Sequence, residues 1–141
     1  MITLDPDALP QVTVAFMNAD HRDEARLLGA VVTALAALRE RRGGRAEVAR
    51  AWAALAQHTR AHFAREERAM EQTRFPPLEV HRAEHDLVLA AMDSEARAFE
   101  EGGEPARLAR YVEQAMPDWL LRHIETMDAV TARYLAEHGV A

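Results

Sequence analysis

Seven side chains of metal-binding types stand out in this sequence, and six of them stand in three close pairs. They are His21, His62 with Glu66, His81 with His85, and His123 with Asp128. Residues four apart on an α-helix differ by about 40° and roughly one turn of rise. His62 and Glu66, and likewise His81 and His85, therefore aim two donors at one place. These donors fall on the same helical stripes as leucines and methionines. An imidazole or carboxylate on a core-facing stripe is costly unless it finds a partner. Five imidazoles and two carboxylates converging from four helices can satisfy one another through metal. Such ligands suit iron, zinc, copper or manganese, and with no cysteine in the chain there is no thiolate for a softer metal.

One such pair alone is usually coincidence, and His21 alone would read as an ordinary core or surface histidine. Three pairs on the inward faces of different helices are harder to explain that way. His58 stands four residues before His62 and competes for its role. The apolar stripe runs through Thr59 and His62, however, which leaves His58 on the flank. His58 and His138 are expected to be solvated or supporting residues.

The elements that must position these groups are legible in the spacing. Residues 1–17, interrupted by Pro6 and Pro10, read as an irregular arm, and residues 18–141 as a helical bundle. Asn18 is the expected N-cap of the first helix, with Asp20, Asp23 and Glu24 in its first turn. His21, Leu28, Val31, Leu35 and Leu38 then recur at helical spacing as far as Gly43 and Gly44. The second helix starts near Ala46 and carries Val48, Trp52, Leu55, Thr59, His62, Glu66 and Met70. It ends before Phe75, Pro76 and Pro77, since proline disfavours helix in the residue before it. The third carries Leu78, His81, His85, Val88, Met92 and Phe99 and stops at Gly102. The fourth opens on Pro105 and carries Leu108, Val112, Trp119, His123, Met127, Val130 and Tyr134. Pro117 falls inside it and is expected to kink it or split it at Ala115 and Met116.

The fourth helix poses a geometric problem. Five residues turn through about 500°, which leaves His123 and Asp128 about 140° apart on a regular helix. A π-type bulge between them would bring both to one cluster; otherwise they reach it from opposite flanks. The predicted fold is all-α, an antiparallel up-down four-helix bundle with short links.

Composition narrows the function classes. At 141 residues the chain makes one domain with a single sizeable core. Its 17 basic and 23 acidic residues are interspersed, which does not favour nucleic-acid binding. No apolar run approaches the length of a bilayer, so no membrane partner is expected. The first residues hold no basic stretch followed by an apolar one, so no signal peptide is expected, and a cytoplasmic location is.

The segments HFAREERAM at 62–70, FPPLEVHRAEH at 75–85 and WLLRHIETMD at 119–128, with His21, resemble the hemerythrin family in its single-domain bacterial form. The likeness spans nearly the whole chain and includes the flanking residues Phe63, Glu67, Met70, Trp119 and Ile124. It implies a cofactor of two non-haem iron ions, a di-iron centre with an oxo or hydroxo bridge. One iron would be held by His81, His85 and His123, the other by His21 and His62, with Glu66 and Asp128 bridging both. The second iron, with one ligand fewer, would take dioxygen or another small gaseous or peroxide ligand. Phe63, Trp119, Leu120 and Ile124 would wall the bound ligand from water.

A histidine-rich set supports reversible binding, so the expected function is non-enzymatic oxygen binding for storage, delivery or scavenging. The alternative is a peroxidase, oxidase or nitric-oxide-directed enzyme, or an oxygen or redox sensor. No oligomeric state follows from the sequence. Two positions depart from the family. Asn18 stands where an acid is usual, and Glu24 stands where leucine is usual. Glu24 either points to solvent, pairs with an arginine, or approaches the open iron as a pocket acid.

Overall fold

The computed structural model describes residues 4–141, and every regular element among them is helical. Three uninterrupted helices, α1 (Ala15–Arg39), α2 (Arg45–Gln72) and α3 (Leu78–Glu100), precede a fourth that runs through residues 105–137. Links of a few residues reverse the chain each time. Contacts between helix ends fix the up-down arrangement, with α3 antiparallel to α2 and the fourth helix parallel to α2. Arg45, at the start of α2, donates to the carbonyl of Phe99, at the end of α3, and lies over its ring. Tyr134, near the end of the fourth helix, donates its hydroxyl to the Thr73 carbonyl just past α2 at 2.6 Å. The chain is thus an all-α four-helix bundle. No described helix is long and apolar enough to cross a membrane.

Glycine is required at the end of α3. A Cβ on Gly103 would lie 2.5 Å from the Ala98 carbonyl oxygen, the same carbonyl that accepts the Gly103 N–H. Only glycine permits that approach.

Helix α1 starts earlier than its capping signals indicate. It opens at Ala15, with Val14 as an extended N-cap. Asn18 is therefore not the cap but lies inside the helix. Its side-chain amide donates to the Val12 carbonyl and its Oδ1 accepts the Val12 N–H, both at 2.9 Å. Burial explains the difference. Val14 and Met17 are fully buried against Ala69, Ala132 and Leu135, and extending the helix back to Ala15 seats them there. Asp20, Asp23 and Glu24 consequently sit beyond the first turn, where they no longer face free N–H groups.

The fourth helix widens twice. It is α-helical at Pro105–Arg110, π at Tyr111–Ala115, α-helical at Met116–His123, π at Ile124–Asp128, and α-helical at Ala129–Glu137. The first widened turn comes just before Pro117, whose ring would collide with the carbonyl four residues back in a regular helix. The Met116 N–H bonds to Tyr111 instead, five residues back, and the helix continues. In the second, the Ala129 N–H reaches Ile124 in the same way.

Two apolar layers fill the bundle. The larger includes Leu28, Leu35, Leu55, Val88, Met92, Val112 and Leu120. The smaller is the cluster around Val14 and Met17. The metal-binding residue types lie in the band between them.

Replacing Asn18 with alanine removes both clamps on the arm. The expected loss is about 1–2 kcal/mol of stability, measured by chemical denaturation, with the helical content unchanged. A loss near zero would show that the arm is held by Val14 and Met17 alone.

Candidate metal centre

The bundle brings all seven sequence-predicted donors together. His21 comes from α1, His62 and Glu66 from α2, His81 and His85 from α3, and His123 and Asp128 from the fourth helix. None is more than 2 % exposed. The π turn at Ile124–Asp128 is what allows the last pair to converge. Bonding to the fifth residue back makes five residues close to one turn, so His123 and Asp128 share a face.

The donors divide into two groups that share the carboxylates. Donor atoms of Glu66, His81, His85, His123 and Asp128 lie within 4.8 Å of one another, and so do those of His21, His62 and Glu66. Glu66 Oε1 is 3.6 Å from His81 Nε2 and 3.3 Å from His85 Nε2, while its Oε2 is 2.8 Å from His62 Nε2. Asp128 Oδ1 is 3.2 Å from His81 Nε2 and 3.1 Å from His123 Nε2, while its Oδ2 is 2.8 Å from His21 Nε2. Each carboxylate turns one oxygen to a three-histidine locus and the other to a two-histidine locus.

The fit to metal shows in the atoms left without partners. Glu66 Oε1 and Asp128 Oδ1 are buried and make no hydrogen bond, although imidazole nitrogens surround them. Both are the oxygens that face the three-histidine locus. His81 and His85 Nε2 stand 3.1 and 3.3 Å from His123 Nε2. Buried acceptors left unpaired among converging ring nitrogens are costly to a core, and a cation between them satisfies the whole set.

On their outer edges the rings are held by a second row of side chains. His81 Nδ1 pairs with Thr131 Oγ1 and His85 Nδ1 with Glu67 Oε2, each at 2.8 Å. His62 Nδ1 faces Glu24 Oε1 at 3.1 Å. His123 Nδ1 is 3.6 Å from Glu84, whose carboxylate also takes the Trp119 indole N–H at 3.1 Å. Among the described residues His21 Nδ1 has no partner. Such outer contacts fix ring orientation and tautomer in metal sites. Thr131, Thr59 and Glu84 were not singled out from the sequence. The available signal was a threonine on a core stripe, three residues after Asp128 in one case and three before His62 in the other.

Glu24 is neither solvated nor paired with an arginine. It is 1 % exposed and stands behind His62, on the side away from Glu66. His58 is 13 % exposed and supports the same corner, with Nε2 3.0 Å from the Asp20 carbonyl. His138 pairs with the Tyr134 carbonyl near the chain end. Phe63 stacks on His85 at 3.9 Å, Trp119 stacks on His123 at 4.4 Å, and Leu120 and Ile124 are fully buried beside them.

Charges in the cluster reinforce one another. Burial opposes a proton on His81, but Asp128 and Glu66 outweigh it and raise its pKa from 6.5 to about 9. Burial opposes one on His62 too, and Glu66 and Glu24 carry it well above the usual range. Burial would raise Glu66 and Asp128, yet the surrounding imidazoles hold both low. The metal-free centre is a set of buried charged pairs whose ring protons a metal would have to displace.

Known proteins share this architecture. The family described as Hemerythrin HHE cation binding domain matches residues 12–135. A bacteriohemerythrin of Ralstonia nicotianae is 36% identical over 125 residues, 89% of this chain and 83% of that protein. A bacteriohemerythrin of Aquifex aeolicus is 24% identical over 135 residues, 94% of this chain and 97% of that protein. The crystal structure of a hemerythrin mutant superposes with a TM-score of 0.80 at 21% identity, covering 96% of this chain and 97% of that one.

Two outcomes are expected. The stability that protonated His81 lends the metal-free protein is complete below about pH 6.5 and disappears as pH rises through about 9. The Tm of the metal-free protein should therefore fall across that window, while that of the loaded protein should not. A flat metal-free profile would contradict the paired centre. Separately, deleting exposed Glu125 should close the π turn into regular helix. His123 and Asp128 would then stand four apart on one face of a regular helix, so helical content by circular dichroism and metal retention should both persist; loss of the metal would show that the bulge does more than bring the two residues to one face.

Proposed function

We propose that this chain, which belongs to the hemerythrin family, holds two non-haem iron ions and binds dioxygen reversibly between its four helices. The observation that carries the reading is the division of Glu66 and Asp128, each with one oxygen toward three histidines and the other toward two. His81, His85 and His123 would hold one iron, His21 and His62 the other, and the two carboxylates would bridge them. Iron held by these residues would supply the reducing chemistry that dioxygen binding needs.

The chain's own residues do the rest. His21 and His62 give their locus one nitrogen fewer, which would leave room there for a diatomic ligand. Five neutral imidazoles against two carboxylates keep the ligand charge small, which favours reversible binding over further oxidation. Phe63 and Trp119 fix the planes of His85 and His123 by stacking. With Leu120 and Ile124 they form a dry wall, so that few protons reach a reduced ligand.

The test is the optical spectrum of iron-loaded, reduced protein under argon, then in air, then after oxygen removal. A band that appears with air and reverses supports oxygen binding. Irreversible loss of the reduced form, with peroxide consumed, would favour a redox enzyme instead. His81→Ala should lose most of the iron, since the three-histidine locus drops a ligand. An His81→Ala protein that keeps two irons per chain by metal analysis would refute the ligand assignment.

A further inference from the structure

Behind His62 lies a polar cluster that the seven donors do not use. Glu24 Oε1 is 3.1 Å from His62 Nδ1 and 3.5 Å from His58 Nε2. Its Oε2 accepts the Thr59 hydroxyl at 2.5 Å. A carbonyl can only accept, so His58 Nε2, 3.0 Å from the Asp20 carbonyl, carries its hydrogen. Arg65 clamps the Asp20 carboxylate with two hydrogen bonds at 2.9 and 2.6 Å. The Glu24 carboxylate is thus anchored to α2 by hydrogen bonds from Thr59 and His62, with His58 3.5 Å away.

The five histidines are not treated alike. His81 has a neutral hydroxyl behind it, and His21 has nothing. Glu67, behind His85, is 21 % exposed and shared with Arg82. Glu84, behind His123, is 35 % exposed and 3.6 Å away. Among the described residues, Glu24 is the one fully buried carboxylate that accepts from the outer edge of a cluster histidine. It serves the locus with fewer donors.

We propose that Glu24 is a positioning residue for His62 that also sets the redox bias of the centre. By accepting the Nδ1 hydrogen it fixes the tautomer whose Nε2 is free for metal. Because it accepts as a carboxylate in a dry core, it makes that imidazole the stronger donor, and a stronger donor favours the ferric over the ferrous state. Glu24 acts from behind the ligand and not from within the oxygen-binding space. The inference rests on the di-iron reading above.

The experiment compares the full chain, iron-loaded, as wild type, Glu24→Leu, Glu24→Gln and Thr59→Val. Iron per chain is followed against a chelator series, midpoint potential by dithionite titration, and site geometry by the optical spectrum of the cobalt(II)-substituted protein. Glu24→Leu should lose half of its iron at a chelator concentration about tenfold or more below that for wild type. Glu24→Gln still accepts the His62 hydrogen. It should keep both irons and the cobalt spectrum, yet show a higher potential and slower autoxidation. Thr59→Val should lie between wild type and Glu24→Leu in chelator resistance.

Wild-type chelator resistance and potential in Glu24→Leu would overturn the proposal. Equal potentials in Glu24→Gln and wild type would overturn its redox half. A third cation per chain, lost in Glu24→Leu, would make Glu24 a metal ligand and overturn the positioning role. A wild type that takes up no iron overturns the di-iron reading and this inference together. A wild type with two irons that does not release oxygen overturns the functional reading alone.

Discussion

Seven ionisable side chains share one dry band of this bundle, and their mutual attraction governs the rest of the structure. Each ion buried alone would cost several kcal/mol. The cost is offset in part where Glu66 Oε2 meets His62 and Asp128 Oδ2 meets His21, each at 2.8 Å, and a cation among the remaining donors would offset the rest. That requirement fixes the register of the four helices. Sliding α1 by one turn would carry His21 away from Asp128, and rotating α3 would turn both His81 and His85 out of the band. The apolar layers above and below supply the burial energy that holds the helices close, but they would tolerate several registers. The polar band tolerates one.

The band is supported from outside by groups that differ from one histidine to the next. A hydroxyl holds His81, half-buried acids stand near His85 and His123, and a buried acid holds His62. These differences make the centre asymmetric beyond its three-to-two division of nitrogens. Arg65 extends the support to the surface through Asp20, so the α1–α2 side of the centre is braced by charge. The opposite side is braced by stacking, with Phe63 and Trp119 flat against His85 and His123. A charged brace sets ring orientation and donor strength together, whereas a stacked ring mainly sets orientation and excludes water.

The fourth helix shows how backbone geometry was adapted to the same need. A regular helix cannot present His123 and Asp128 to one point. The widened turn between them leaves backbone hydrogen bonds in place, five residues back in place of four, so the helix stays continuous while its face shifts. The earlier widened turn does the same for Pro117. Both irregularities are confined to the helix whose two donors are five residues apart; α2 and α3, whose donors are four apart, are regular throughout.

Residue spacing by itself determined the four helices, the inward stripes, the convergence of the seven side chains and the mismatch at His123 and Asp128. These follow from periodicity, which is local and depends on a few neighbouring turns. Other features depended on packing. Asn18 has the chemistry of a cap, and nothing nearby in sequence indicates that Val14 and Met17 will be buried against Ala69, Ala132 and Leu135 and draw the helix back to Ala15. Glu24 sits three residues from His21, yet its partners are Thr59 and His62 on another helix. Spacing gave Glu24 several possible directions, and the rotation of α1 against α2 selected one. A side chain's position on its own helix is set by the pitch, but the groups it meets are set by how two helices rotate against each other, and that rotation is fixed only when the whole polar band closes.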